Sequence, residues 1–336
     1  MKILYVHKDI NQDINAGGIN TVYLEHIKKL EETDNELFVI TSRDGEWNFK
    51  AKRFIVSSDP ETRKNEIEKI INEIDPDIID VFSWNAELLD YVKKTHRAKV
   101  IMRADIPMQY YGVETIDEQM AVHCDKIISI SKWCDFEWSA KTGGNTTVIP
   151  HACSILPKGD ITKEKNTVVW VGKCTNIKGI DLILKLPDEF FKKYKLVVVC
   201  APTRFDDKEL FDKLEEKGVV IKRNLSSDDY RDLLQKSEFI LSTARREGFC
   251  IAVLEGMRLG CIPVIPYWIG GTTDFVNNEN GIVYENMNDC FSCMEKLSDD
   301  EKANCSKLSI DTAMKYNWDY VTNLSIDEYR KLKDEC

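Results

Sequence analysis

Glu247 and Glu255 are separated by seven residues in the stretch REGFCIAVLEGMRLGCIPVIP, residues 246–266. The run Ile251–Leu259 reads as a helix entered through Gly248-Phe249, and Gly260-Cys261-Ile262-Pro263 reads as a turn into a buried strand. Glu247 therefore belongs to the loop entering the helix and Glu255 to the helix itself. Free N–H groups at a helix start attract anions, which gives a carboxylate held beside them a use other than charge balance. The ordinary explanation is that Glu247 favours the helix dipole and Glu255 is a solvated surface group. The spacing alone leaves both readings open.

Two lysines stand beside glycines in the same half of the chain. Lys173 follows Gly172 at the end of the apolar pattern TVVWVG, and Lys178 precedes Gly179 before the next helical pattern. Ammonium groups at a strand's carboxyl end can neutralise a departing diphosphate as point charges, although solvation is the commoner fate of lysine. Gly17-Gly18 lies between the first strand pattern and the first helix pattern. There a bare Cα lets backbone approach a phosphate at a helix start. Gly270-Gly271-Thr272-Thr273 is a similar loop. Neither the dinucleotide fingerprint G-x-G-x-x-G nor the P-loop follows any strand pattern, which counts against a dehydrogenase and an NTPase.

The elements that must hold these residues fall into two blocks. In the first, strand patterns occur at 2–7, 37–41, 54–56, 78–82, 99–103, 126–131 and 146–150, with helices over 20–30 and 63–74. A polar stretch at 152–166, containing Pro157 and Gly159, reads as a linker. The pattern then restarts with strands at 167–172, 195–201, 219–223, 238–243 and 262–266. Helices are expected from about 179, over 207–216 and 227–235, and as a long tail from about 299. Continuous apolar strands between helices predict parallel sheets covered on both faces. The fold class is α/β with two Rossmann-like blocks, and ligands of such folds bind outside the carboxyl ends of the strands. A cleft between the two blocks is the expected site.

Composition narrows the function classes. A chain of 336 residues suits two domains of the usual ~100–200. A net charge of −11 counts against a general nucleic-acid binder, which needs a basic face. It also weakens a polybasic membrane dock, while leaving open peripheral membrane contact through one local basic patch. No run of about 18 apolar residues is present, so no transmembrane segment is expected. The opening MKILYVHKDI is too polar and too short for a secretory signal. The 11 cysteines, an odd number without a repeating frame, are the thiols of a reducing compartment. A cytoplasmic protein is the expectation. Cys290 and Cys293 form one CxxC with no second pair nearby, and a structural zinc site wants four ligands. They read as helix-face packing, and no metal is expected.

Taken in chain order, the motifs become specific. Gly17-Gly18, VGKCTNIKG (171–179), STARREGFCIAVLEGMRLGCIPV (242–264), GGTTD (270–274) and ENGIVY (279–284) follow one another. This series resembles the retaining glycosyltransferases of the GT-B fold, family four, the glycosyl transferases group 1. VIPHACS (148–154) is similar to the family's linker motif V-I-P-N-G-V-D, and the stretch 316–329 around Trp318 looks like its closing helix. The resemblance covers nearly the full length. It implies two Rossmann-like domains facing each other across a cleft: an acceptor domain over 1–155, joined by a C-terminal helix at about 315–336, and a donor domain over 160–314.

The resemblance also implies roles. Glu247 would lie beside the transferred sugar, hydrogen-bonding its hydroxyls and favouring an oxocarbenium-like centre. Glu255 would bind the ribose hydroxyls. Backbone N–H groups of Phe249, Cys250 and Ile251 would face sugar and phosphate. Lys173 and Lys178 would stabilise charge growing on the departing diphosphate, and Gly17 and Gly18 would approach that phosphate from the first domain. The base would lie near Ala201-Pro202 and Asn224-Leu225, with hydrogen bonds from the Leu225 backbone. The donor would be a UDP- or GDP-sugar, with no cofactor and no metal, since no Asp-x-Asp motif stands where a metal-dependent transferase carries one. Transfer would retain the anomeric configuration by front-face departure and attack, the leaving phosphate helping to deprotonate the acceptor.

Three positions depart from the family pattern. Lys173 replaces an arginine and loses its bidentate geometry. Arg103-Ala104-Asp105 stands where His-Asp is usual, and His151 replaces an asparagine. Arg103, Asp105 and His151 are thus all open as substitutes for the absent histidine. Acceptor candidates are Trp84, Asn85, Arg103, Asp105, Tyr110 and Tyr111. Aromatic side chains stack on sugars, and core packing is the equally ordinary alternative. Residues 1–155 carry 19 Lys and Arg against 26 Asp and Glu, which favours a glycan or other hydroxyl acceptor over an anionic lipid. The competing readings are a non-catalytic nucleotide-sugar-binding protein and a GT-B sugar-nucleotide epimerase. A pyridoxal-phosphate phosphorylase would need a far longer chain. Oligomeric state has no signature in the sequence.

Overall fold

The computed structural model describes residues 1–7, 10, 17–82, 86–105, 121, 123–201 and 208–335. The chain divides into two compact units, Met1–Ala152 with Trp318–Cys336, and Cys153–Asn317.

The first unit is built on seven parallel strands: β1 (Lys2–His7), β2 (Glu36–Thr41), β3 (Lys52–Ile55), β4 (Ile78–Phe82), β5 (Lys99–Ala104), β6 (Lys126–Ser129) and β7 (Thr146–Val148). Their order is β3-β2-β1-β4-β5-β6-β7. Ile3, Leu4, Tyr5 and Val6 of β1 are all fully buried, as expected of a central strand covered on both faces. The helix Pro60–Ile74 starts at Asp59, whose side chain accepts from the Thr62 N–H, with proline in the first turn. The helix Lys132–Thr142 starts at Ser131 and ends at Gly143 in the left-handed conformation. The last helix, Trp318–Asp334, buries Trp318, Val321, Ile326, Tyr329 and Leu332 within this unit.

The second unit holds six parallel strands: β8 (Glu164–Lys173), β9 (Lys195–Ala201), β10 (Val220–Arg223), β11 (Ser237–Leu241), β12 (Ile262–Pro266) and β13 (Ile282–Tyr284). Their order is β10-β9-β8-β11-β12-β13. One core cluster joins Val168, Trp170, Leu196, Val198, Phe239 and Val264 of the strands to Phe190, Phe211 and Cys290 of the helices. Cys290 and Cys293 of the helix Met287–Lys296 both pack into or against it. The described cysteines are free thiols. Among the described residues no three His, Cys, Asp or Glu side chains cluster as a metal site, and no helix is long and apolar enough to cross a membrane.

Several elements differ from the sequence reading. Strand β8 begins at Glu164, within the stretch read as linker. The helix expected from Gly179 is a 3-10 helix, Ile180–Lys185, followed by a short α-helix, Asp188–Lys193. Pro187 forces the break, because the residue before a proline avoids the helical region and Leu186 is extended. The long tail is two helices, Asp299–Ala313 and Trp318–Asp334. Between them the Tyr316 carbonyl accepts from the Cys153 N–H at 3.1 Å, and the Tyr316 ring packs on Phe249 and Phe275. These contacts take the backbone out of helical register.

Candidate functional site

In the second unit the chain runs from β8 outward to β9 and β10, then returns to form β11 on the other side of β8. Crossovers therefore leave in opposite directions from β8 and β11. The carboxyl ends of that strand pair form the place where open α/β sheets bind ligands. The loops at this point are 173–179 after β8 and 242–250 after β11. They carry Lys173, Lys178 and Glu247.

The structure brings Lys178 and Glu247 together. The Lys178 ammonium donates to Glu247 Oε2, with the two side chains 25% and 12% exposed. A dense set of bonds holds the loops that present them. The Glu247 N–H donates to Ile269 O at 2.8 Å and its carbonyl accepts from Gly271 N–H at 3.0 Å, forming a parallel bridge to the Gly270-Gly271 loop. Thr272 Oγ1 donates to Phe249 O at 3.3 Å. On the other side, Gly179 adopts φ +66°, and a Cβ there would lie 2.0 Å from Thr243 O. Only glycine fits this crossing of two backbones. Thr243 Oγ1 donates to Gly179 O at 2.7 Å while accepting from Trp170 Nε1 at 2.9 Å.

The helix after Glu247 spans Ile251–Arg258, and Gly256 lets it approach β11, since a Cβ there would meet Ile240 at 2.7 Å. Its N-cap, Cys250, has φ 66° and ψ 72° and makes no side-chain cap bond. A non-glycine residue in the left-handed region costs about 1–2 kcal/mol, and such conformations concentrate at functional sites. Val253 N–H already donates to Cys250 O at 3.1 Å, so the N–H groups left without an intrahelical acceptor or a side-chain cap are those of Ile251 and Ala252, with Cys250 before them. Burial pushes the Cys250 thiol up to about 12, with Glu247 adding to the effect, so the sulfur stays protonated. Phe249 is buried beneath, its ring 4.9 Å from Phe275 and 5.7 Å from Tyr316.

Glu255 sits one helical turn further on. Tyr230 Oη, from the helix Ser227–Lys236, donates to Glu255 Oε2 at 2.7 Å. Burial raises the carboxyl to about 7, and the tyrosine hydrogen bond pulls it part of the way back. Glu255 is therefore a hydrogen-bonding group whose charge depends on neutral pH. Lys173 is exposed at the end of β8, and no described residue pairs with it as an ion. Ala201 ends β9, and Asn224 is left-handed at φ 52° after the edge strand β10, with Leu225 half-buried beside it.

In the first unit Gly17 and Gly18 open the helix Gly17–Leu30. Trp84, Asn85, Tyr110, Tyr111 and Pro202 lie outside the described residues. Arg103 is 7% exposed and turned into the unit. Its Nε donates to both Asp80 oxygens at 3.2 and 2.9 Å, and an Nη donates to Tyr329 Oη at 2.8 Å and Ser325 Oγ at 3.3 Å. Tyr329 in turn donates to Asp80 Oδ2 at 2.6 Å. Arg103 thereby ties the last helix to β4 and β5. Asp105 accepts from Tyr23 Oη at 2.9 Å. Its other oxygen has no hydrogen-bond donor among the described residues and stands 3.5 Å from His151 Nε2. Burial raises Asp105 to about 6, against the pull of Arg103 and the Tyr23 bond. Burial, with Arg103 adding, lowers His151 to about 3, so it is neutral.

Sequence reasoning did not single out Tyr230, Thr243, Arg245 or Asp181, although each touches a loop or carboxylate of this site. Arg245 and Asp181 had a signal, lying two residues before Glu247 and three after Lys178. Tyr230 had none, being brought to Glu255 only by helix packing.

Residues 154–304, most of the second unit, match the family described as Glycosyl transferases group 1. A GDP-mannose:cellobiosyl-diphosphopolyprenol alpha-mannosyltransferase from Xanthomonas oryzae pv. oryzae is 25% identical over 183 residues, which are 50% of this chain and 47% of that protein. Glycogen synthase from Aquifex aeolicus is 24% identical over 180 residues, 52% of this chain and 39% of its own length. The aligned part is thus about half or less of these curated relatives. Among solved structures, sucrose-phosphate synthase from Thermosynechococcus elongatus superposes with TM-score 0.86 at 13% identity, covering 100% of both chains. Anabaena HepE in complex with UDP and glucose superposes with TM-score 0.75 at 16% identity, covering 98% of this chain and 100% of its own. The fold, two Rossmann-like α/β units, is that of these GT-B structures.

Proposed function

We propose that this chain is a retaining, metal-independent glycosyltransferase that moves a sugar from a nucleotide-sugar donor to a glycan or other hydroxyl acceptor. The observation that carries the reading is the meeting of Lys178 and Glu247 at the strand-order switch, beside an uncapped helix start. The group 1 match over 154–304 and the GDP-mannose- and UDP-related names among the similar proteins support a nucleotide-sugar donor.

Chemically, bond departure places negative charge on the β-phosphate and positive charge on the anomeric carbon. Lys178, with Lys173 at the loop entrance, answers the first, and the open N–H groups at Cys250 and Ile251 add fixed dipoles. Glu247 answers the second and takes sugar hydroxyl protons as hydrogen bonds. Glu255, raised by burial and held by the Tyr230 hydrogen bond, accepts from the ribose hydroxyls. Gly17 and Gly18, at the start of the helix Gly17–Leu30, offer backbone N–H groups to a phosphate. Because the leaving phosphate itself accepts the acceptor's proton, attack comes on the face it leaves, and configuration is retained. In the first unit Asp105 and neutral His151 replace the absent histidine, with Trp84 and Tyr110 as acceptor platforms. Arg103 serves from behind, by fixing β5.

The test is the anomeric configuration of sugar released by slow donor hydrolysis in EDTA, followed by proton NMR before mutarotation. An α-linked donor giving α-sugar first supports the reading. The β-anomer first, or activity abolished by EDTA, contradicts it.

A further inference from the structure

We propose that Arg245 and Asp181 are positioning residues that hold the 173–179 loop so that the Lys178 ammonium stands at Glu247. The inference rests on the reading of Lys178 as the cation for a departing diphosphate. Lysine offers a point charge on a flexible stem, and its loop after β8 is made of turns rather than regular helix. Something else must fix where that charge stands.

Arg245 does so through four contacts, two to the loop and two to the 3-10 helix that follows it. Its guanidinium takes both oxygens of Asp181, Nη1 to Oδ1 at 2.8 Å and Nη2 to Oδ2 at 2.7 Å. Nη1 also donates to Asn176 O at 2.6 Å, and the Arg245 backbone N–H donates to Ile177 O at 2.8 Å. Asp181 lies in the first turn of the 3-10 helix that follows Gly179. The clamp therefore grips the loop on both sides of Lys178, while Arg245 is joined through one residue to Glu247. The two side chains are 37% and 42% exposed, so the pair adds little to stability. A fork-on-fork guanidinium–carboxylate pair instead supplies direction, and a misplacement of about 1 Å at a reacting centre can cost ~100-fold.

The experiment compares Asp181→Asn and Arg245→Lys with wild type, each also in a Lys178→Ala background, in donor turnover and in nucleoside monophosphate binding. The expected result is a kcat ~10–100-fold lower for each single variant, with nucleoside monophosphate affinity within ~2-fold because Glu255 is untouched. In the Lys178→Ala background the further loss should be under ~2-fold, since residues acting as one unit are non-additive. Equal losses in both backgrounds, or unchanged kcat, overturn the proposal. Amide hydrogen exchange gives a readout free of activity. Asp181→Asn should speed exchange at residues 175–180 while leaving the helix Asp299–Ala313 as in wild type; unchanged exchange at 175–180 overturns it. Wild type silent with every donor would instead strike the transferase reading, leaving exchange alone to judge the clamp.

Discussion

Glu255 differs from an ordinary surface glutamate because burial lifts its pKa from 4.5 to about 7. On the proposed reading ribose hydroxyls donate to the ionised form, so donor binding should tighten as pH rises. The ionised fraction grows about tenfold between pH 6 and 8 for a group of this pKa, and donor KM should fall by up to that factor. Tyr230→Phe removes the bond that stabilises the carboxylate and moves the inflection to higher pH, and Glu255→Gln abolishes it. The stability sign follows from the same shift. Between 4.5 and 7 the folded chain holds a proton that the unfolded chain releases, so stability is greatest below this window and declines as pH rises through it. Thermal unfolding from pH 5 to 8 should show a flatter profile for Glu255→Gln than for wild type. Arg103 offers a contrasting case. Arg103→Leu strands the buried Asp80 carboxylate, at a cost of about 3–5 kcal/mol, read as a large drop in unfolding temperature. Lys173, Lys178, Glu247 and Glu255 were legible because their order and neighbours form a motif. Tyr230 and the Asp80–Arg103–Tyr329 network were not, because helix packing across long sequence separations makes them.

At the level of elements, the site depends on two loops crossing at one glycine. Gly179→Ala would place a Cβ 2.0 Å from Thr243 O at a positive φ, so one loop must move. The strain, on the order of 1–3 kcal/mol, falls on the segment carrying Lys178. Turnover should drop ~100-fold or more while the far-ultraviolet circular dichroism stays that of wild type; retained turnover would show that the crossing has no part in function. The strands were legible as continuous apolar runs such as KLVVVCA and KVIMR, which only two-sided burial explains. Helix boundaries were less so. Lys132–Thr142 escaped notice between two strands despite Ser131 and Gly143 at its ends, and the Leu186-Pro187 break was read through.

For the whole molecule, the two repeating β/α blocks announced two sheets. The resemblance implied a closing helix at about 315–336; in the structure Trp318–Asp334 belongs to the first unit, and the contacts that hold it there, through Tyr329 to β4 and β5, had no signal in the sequence. The match to the glycosyl transferases group 1 falls on the second unit, where the charged pair lies. The proposed acceptor candidates Trp84 and Tyr110 carry no motif of their own and lie outside the described residues. The central claim is that Lys178 and Glu247 form a donor site that breaks a sugar–phosphate bond. Its most direct test measures nucleotide released from a panel of UDP-, GDP- and ADP-sugars by wild type and by Lys178→Ala. Release from one donor by wild type, and a loss of ~100-fold or more in the variant, equivalent to at least about 2.7 kcal/mol of barrier, is the predicted result. Equal turnover by the two proteins, or nucleotide binding without release from any donor, would contradict it.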